Sequence, residues 1–241
     1  YPPTAQAGHA PGYRALLSIG LAAALSQAAE AGAFSGMTFI AGRIGEGAVA
    51  AYQIVLNLMA VVFMISLGLS TATAVLASEQ VGRGDRAAAS RVSFVGLGVN
   101  SALMLLLALV ILVLRAPIGS AYSADAVLAA SVASLLPWAA LTLLPDGGQV
   151  VAASALRAQG DNWFPTASHL LAYAGVMPFV GFWLGERQGQ GVAGLLAAVL
   201  ISSALSVGVL TARLGWLKKN GQPMSIGEPL ARRGHEGGHN G

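Results

Sequence analysis

Two acidic residues stand in the middle of long apolar segments. Glu30 lies within residues 16–42 and Asp146 within residues 126–156, and neither segment contains another charged residue. A carboxylate at the centre of a membrane helix costs roughly 2.5–3.5 kcal/mol on insertion scales. Burial disfavours its charged form, so each carboxyl group should take up a proton unless a cation is near. Because a proton, Na⁺ or a cationic substrate would neutralise the same site, we predict a cation-coupling role for Glu30 and Asp146.

A structural role is the alternative for these acids, since a carboxyl group can hydrogen-bond one helix to another. Ser, Thr, Asn and Gln are more usual in that role, which favours the functional interpretation. Gln53 and Asn57 are four residues apart and therefore share one face of a helix. They either line a polar cavity or hydrogen-bond between helices, and the spacing favours neither. His169 is expected to be a packed or interfacial residue.

The composition indicates a membrane protein. The chain has 241 residues, of which 55% are hydrophobic and only 10% charged. Long apolar runs of this kind are typical of membrane spans and not of a soluble core. A net charge of +3, dispersed along the chain, gives no reason to expect a nucleic-acid partner. The sequence contains no cysteine, which excludes disulfides and thiolate metal sites.

Six segments exceed the roughly 20 residues that a helix needs to cross a bilayer, so we predict an all-α integral membrane protein. The predicted spans are residues 15–41, 48–78, 92–114, 126–156, 164–184 and 192–214. Residues 14–215 are therefore assigned to a six-helix transmembrane lobe. Residues 1–13 are assigned to a cytoplasmic linker, and the polar, basic residues 216–241 to a disordered cytoplasmic tail.

The basic residues predict the orientation. An even number of spans places both termini on one side of the bilayer, and ten of the 13 basic residues fall on that side. The other side carries Arg43, Arg115 and Arg187. The positive-inside rule then places both termini in the cytoplasm. The ten residues are Arg14, Arg83, Arg86, Arg91, Arg157, Arg213, Lys218, Lys219, Arg232 and Arg233.

Proline and glycine mark special positions within the spans. Residues 145–148 read Pro-Asp-Gly-Gly, which predicts a break of the fourth span at mid-membrane depth, tolerated where it lines a cavity. Pro178 predicts a similar bend in the fifth span. Glycines four residues apart, at 32 and 36 and at 181, 185 and 189, should allow close approach between helices.

Motifs of other protein classes are absent or misplaced. The chain has no phosphate loop and no hydrolase nucleophile motif, so neither an ATP-driven pump nor an enzyme is expected. Residues 235–239 read His-Glu-Gly-Gly-His, which has the letters of a zinc-protease motif. That mechanism needs a rigid helix and a third ligand, and two glycines in a tail do not supply them. We therefore expect neither a metal site nor a cofactor.

Several blocks resemble the MATE (multidrug and toxic compound extrusion) transporters. They are residues 51–57 (AYQIVLN), 68–70 (GLS), 80–85 (QVGRGD), 146–151 (DGGQVV) and 154–161 (SALRAQGD). Their order and spacing match the second half of that family. The resemblance covers roughly residues 14–216.

This resemblance implies that the six spans are helices seven to twelve of a twelve-helix transporter with two lobes around a central cleft. The family's seventh-helix glutamate falls on Glu30 and its tenth-helix aspartate on Asp146. The implied function is export of amphiphilic organic cations in exchange for Na⁺ or H⁺ across a bacterial inner membrane. Tyr52, where many members have histidine, and Thr142, where an aromatic residue can occur, depart from the family.

Three alternatives remain. A lipid-linked oligosaccharide flippase of the same superfamily should need basic residues in the cleft for pyrophosphate, and the middles of the spans carry acids instead. A non-transporting orphan lobe could act as an assembly partner. A membrane enzyme would be expected to cluster its active residues near the interface. Because Tyr1 is not a start methionine, we expect a fragment whose main partners are the bilayer, organic cations and a missing N-terminal lobe.

Overall fold

Six helices in the computed structural model are long and apolar enough to cross a membrane. The model describes residues 13–220, except the side chains of residues 14–16. The described part of the chain contains no strand, which confirms the predicted all-α class. The spanning helices are α1 (Tyr13–Ile44), α2 (Glu46–Gly82), α3 (Arg86–Val113), α5 (Ala126–Ala158), the fifth span (Trp163–Arg187) and α8 (Gly191–Asn220).

Two features of the helices were not predicted. A short helix, α4 (Arg115–Tyr122), follows the third span and packs on α5. The fifth span consists of α6 (Trp163–His169), a π-helical segment (Leu170–Val176), α7 (Met177–Gly181) and a second π-helical segment (Phe182–Arg187). Pro178 is the second residue of α7, directly after the first π-helical segment and within the continuous helical span.

Successive spans run in opposite directions, so their ends gather at two opposite ends of the lobe. At the basic end, where α1 begins and α8 ends, the Arg213 Nε donates to Asp161 Oδ2 over 2.8 Å. At the opposite end, Arg43 Nη2 lies 2.6 Å from Glu186 Oε1 and joins the end of α1 to the end of the fifth span. Aspartate side chains begin two helices: Asp85 accepts from Ala88 N, and Asp125 accepts from Val127 N.

Helix α5 lies at the centre of the lobe, in contact with α2, α3, α4 and α8. The main apolar cluster joins α1, α2, α3, α5, the fifth span and α8. A second cluster, which includes Leu156, Leu210 and Leu214, joins α5 and α8 nearer the basic end. This central position carries Asp146 into the interior.

The predicted break in the fourth span is wrong, because α5 is an uninterrupted helix through Pro145 and Gly148. The two glycines permit close packing instead of forming a turn. A Cβ atom on Gly147 would collide with Ser66 Oγ and lie 2.9 Å from Asn100 Nδ2. Packing of α2 and α3 against Gly147 therefore stabilises α5 as a helix, although Pro145 removes one backbone hydrogen bond.

The predicted start of the tail is also wrong, because α8 continues to Asn220 and residues 216–220 are helical. Leu217 is buried against the second apolar cluster. The guanidinium carbon of Arg213 lies 4.7 Å from the centre of the Trp216 ring. These contacts extend the helix beyond its apolar run. Residues 1–12 and 221–241, including His235 and His239, lie outside the described residues.

The glycine series behave differently. Built Cβ atoms on Gly32 and Gly36 would meet nothing within 4 Å, so neither glycine permits a close approach within the described residues. Gly185, by contrast, faces Gly194 of α8 so closely that a Cβ on Gly194 would lie 2.7 Å from Gly185 N and from Leu184 C. The prediction of close helix approach is thus confirmed at Gly185, whereas none of the described residues closely approaches Gly32 or Gly36.

We predict that Gly194→Ala destabilises the lobe by about 1–3 kcal/mol, because the added methyl group meets backbone that cannot rotate away. Gly208→Ala on the same helix is the matched control, since a Cβ there would meet nothing within 4 Å. Thermal unfolding of the detergent-purified protein would measure both. An equal loss of stability in the two variants would contradict the close contact.

Candidate functional site

Glu30 and Asp146 converge on one cavity, although they are far apart in sequence. The cavity has a volume of about 180 Å³ and lies between α1, α2 and α5. Its lining consists of Glu30, Phe34, Leu56, Met59, Ala60, Phe63 and Asp146. The structure therefore brings together the two carboxylates that the sequence singled out.

Asp146 is held by hydroxyl groups from two other spans. Its side chain is only 6% exposed. Its Oδ1 accepts from Ser203 Oγ of α8 over 3.0 Å and from Tyr173 OH of the fifth span over 3.4 Å. The two hydroxyl groups lie 3.1 Å apart. The carboxyl group is thus buried, but it is not isolated from hydrogen-bond donors.

Tyr173 is packed on two sides by rings. Its ring lies 5.7 Å from that of His169, edge to face, and 6.5 Å from that of Phe34, which also lines the cavity. Tyr173 belongs to a π-helical segment, a feature that is frequent at functional sites. Neither Tyr173 nor Ser203 was singled out from the sequence, because a single hydroxyl group in an apolar span has no spacing that ties it to Asp146.

Glu30 is partly buried and faces the same cavity from α1. Because both carboxylates line one cavity, their charges interact. Two negative charges in apolar surroundings repel each other, so the site favours binding of a positive charge that neutralises them. A proton, a metal cation or an organic cation can each do this.

The rest of the cavity is apolar. The side chains of Phe34, Leu56, Met59 and Phe63 form its wall. Apolar walls with a few polar groups are typical of small-molecule sites. Aromatic rings also attract cations through their faces. The arrangement therefore suits a ligand that combines an apolar body with a positive charge.

Gln53 and Asn57 lie on α2 but are not among the residues that line this cavity. The Gln53 Nε2 donates to Thr38 Oγ1 over 3.0 Å, and Asn57 Oδ1 accepts from Tyr122 OH over 3.3 Å. Both side chains are exposed on the described lobe. The structure thus shows interhelical hydrogen bonds, and a lining role for Gln53 and Asn57 stays a prediction.

The two positions that depart from the family pattern lie elsewhere. Tyr52 is fully buried in the main apolar cluster. Thr142 donates back to the carbonyl oxygen of Trp138 over 2.8 Å, within its own helix. Neither residue lines the cavity, so neither changes its chemistry directly.

Comparisons with known proteins agree on one family. The MatE family model matches residues 22–183. A probable multidrug resistance protein NorM of Caulobacter vibrioides is 38% identical over 199 residues, which cover 83% of this chain and 42% of that protein. A protein of the same name from Aromatoleum aromaticum is 31% identical over 208 residues, covering 84% and 44%. The chain therefore spans less than half the length of these curated relatives.

Solved structures show the same fold. The Vibrio cholerae MATE transporter VcmN in its bent form superposes with a TM-score of 0.79 at 16% identity. The match covers 85% of this chain and 47% of that one. At this identity the likeness concerns the fold alone, and the described helices correspond to one six-helix half of such a transporter.

We predict that Ser203→Ala destabilises the lobe by about 1.5–3 kcal/mol, because a buried carboxylate loses a donor. Ser206→Ala is the matched control: Ser206 is equally buried one turn further along α8, and its hydroxyl has no partner among the described residues. Thermal unfolding measures both. The effect of Ser203→Ala should shrink in an Asp146→Ala background, and an undiminished effect would contradict the assignment.

Proposed function

The chain belongs to the MatE family, and we propose that it forms the C-terminal lobe of a bacterial multidrug exporter. In this proposal, entry of Na⁺ or H⁺ drives exit of an amphiphilic organic cation. Glu30 and Asp146 bind the coupling cation. The observation that carries the proposal is that two carboxylates from the middle of different membrane spans line one otherwise apolar cavity.

Antiport follows from competition for one negative site. A proton, Na⁺ or an organic cation each neutralises the carboxylates, so binding of the coupling cation weakens binding of the substrate. Binding of the coupling cation favours the state that releases the substrate. Release of the coupling cation favours the state that binds the next substrate molecule. Such a population shift needs only that the cation binds the two states with different affinities.

The lining also bears on the class of substrate. No basic side chain is among the described residues that line the cavity. A pyrophosphate-linked lipid would require positive charge there, whereas an organic cation requires negative charge. The cavity chemistry therefore supports an organic cation over the oligosaccharide carrier of a flippase.

The proposed location is the inner membrane with both termini in the cytoplasm. The basic end of the described lobe carries Arg83, Arg91, Arg157 and Arg213, together with Lys218 and Lys219. The opposite end carries only Arg43, Arg115 and Arg187 among the described residues. The positive-inside rule supports this orientation. The remaining half of the transporter would supply the other wall of the cleft.

We expect Glu30→Gln or Asp146→Asn, each made in the complete transporter, to abolish ethidium export while leaving expression intact. Each substitution keeps the size of the side chain and removes its charge. Glu46→Gln is the control, because Glu46 is exposed at the start of α2 and away from the cavity. Dye accumulation in expressing cells measures export, and normal export in both cavity variants would rule out cation coupling at this site.

A second prediction concerns the apolar wall of the cavity. Ala60→Trp should weaken ethidium binding, because the indole would occupy much of the 180 Å³ cavity that Ala60 lines. Ala72→Trp is the control on the same helix, since Ala72 is exposed and does not line the cavity. Fluorescence titration of the purified transporter gives both affinities. Equal affinities in the two variants would place the substrate elsewhere.

A further inference from the structure

A partly buried arginine, Arg157, lies near the cavity and takes no part in the proposal above. Arg157 and Asp146 are eleven residues apart on α5, about three helical turns, so they share a face roughly 16 Å apart along the axis. Arg157 Nη2 donates to Ser26 Oγ of α1 over 2.8 Å. Ser26 is in turn four residues, or one turn, before Glu30 on the same helix face. The guanidinium group is thus anchored one turn from the glutamate.

The anchor is well buried. Ser26 is 1% exposed and its hydroxyl donates to Thr166 Oγ1 of the fifth span over 3.2 Å. The Thr166 hydroxyl also lies 2.8 Å from the carbonyl oxygen of Ala22. Arg157 therefore occupies a polar junction between α1, α5 and the fifth span, and its position is set by three helices.

The guanidinium charge has no contact ion pair. None of the four ion pairs among the described residues involves Arg157, and its buried Nε has no hydrogen-bond partner there. A guanidinium group keeps its charge in proteins, and a charge partly withdrawn from water is stabilised by an opposite charge nearby. The hydrogen bond to Ser26 holds the guanidinium group one helical turn from Glu30. Glu30 is therefore placed to compensate the charge of Arg157.

We propose that Arg157 is the resident counter-charge of the cation site and sets its net charge at one negative unit. The proposal rests on the proposed function of Glu30 and Asp146. Counted together, the two ionised carboxylates and the one guanidinium group leave a single uncompensated negative charge. The site then holds one monovalent cation and discriminates against a second. Arg157 acts through the carboxylates and is a positioning residue that sets charge, not a ligand of the cation.

Two other titratable groups face this region from the fifth span. Tyr173 donates to Asp146. His169 is 3% exposed, and neither of its ring nitrogens has a partner among the described residues. If a positive charge on the His169 imidazole repelled the bound cation, His169→Gln would tighten ethidium binding, as Arg157→Gln is expected to do. We expect His169→Gln to leave that affinity within about two-fold, a change of less than 0.5 kcal/mol.

The test is second-site rescue, read as equilibrium affinity for ethidium, a monovalent organic cation, in the purified complete transporter. Glu30→Gln leaves a site with no net charge and should bind ethidium at least about ten-fold more weakly. Adding Arg157→Gln restores one negative charge at Asp146 and should recover most of the affinity. Asp146→Asn combined with Arg157→Gln should recover it in the same way through Glu30.

Single variants of Arg157 complete the test. Arg157→Gln alone leaves two negative charges and should bind ethidium about ten-fold more tightly at low salt. Arg157→Lys keeps the charge and should stay close to the parent affinity. If Arg157 had only a structural role, the double variants would bind ethidium more weakly than either single variant.

The outcomes separate the two proposals. If Glu30→Gln and Asp146→Asn both bind and export ethidium normally, the proposed function itself fails. If these two lose binding as expected but Arg157→Gln neither tightens binding nor rescues them, only the counter-charge assignment is overturned. Thermal unfolding of each variant shows whether a loss of binding reflects a loss of folded protein.

Discussion

The scarcity of water inside an apolar helix bundle is the constraint on which the rest of this structure depends. A charged or hydrogen-bonding group in such surroundings must find its partner within the protein, or its free energy rises by several kcal/mol. Two charged residues of this lobe are held in this way. Asp146 receives two hydroxyl donors from two other spans, and Arg157 is tied to α1 through Ser26. The polar groups thereby connect the helices that the apolar contacts pack together.

The central helix shows how local sequence and packing compete. Proline followed by Asp-Gly-Gly favours a turn in water, and the same residues form a continuous helix here. Since the bilayer leaves no alternative partner for freed backbone groups, helix is strongly favoured over a loop. The glycines let α2 and α3 approach α5 closely, and this contact fixes the level at which Asp146 meets the cavity.

The cavity is one wall of a larger site if the chain pairs with a second lobe. Glu30 and the rings of Phe34 and Phe63 are among its lining residues. In water the attraction between a carboxylate and a cation is weak, and an opposing wall that excludes water would strengthen it. This dependence gives a physical reason for coupling between cation binding and the relative position of two lobes.

Composition and periodicity alone determined the class, the number of spans and the two acids that meet in the cavity. Long apolar runs have few physical solutions in a membrane, and a carboxylate within such a run stands out against its neighbours. The ends of α2 and α8 were placed too early, because amphipathic residues such as Trp216 continue a helix beyond its apolar core. Helix α4 is too short and too polar to show in the same pattern.

Only the tertiary structure decided which side chains surround the acids. Tyr173 and Ser203 reach Asp146 from spans far away in sequence, and Arg157 reaches Ser26 across a helix boundary. The sequence placed Arg157 at a span end as an orientation signal, yet in the structure it is partly buried and hydrogen-bonded to Ser26, which lies one turn from Glu30. Periodicity tells which residues of a helix share a face, but the rotation of each helix about its axis is set by packing against all its neighbours at once.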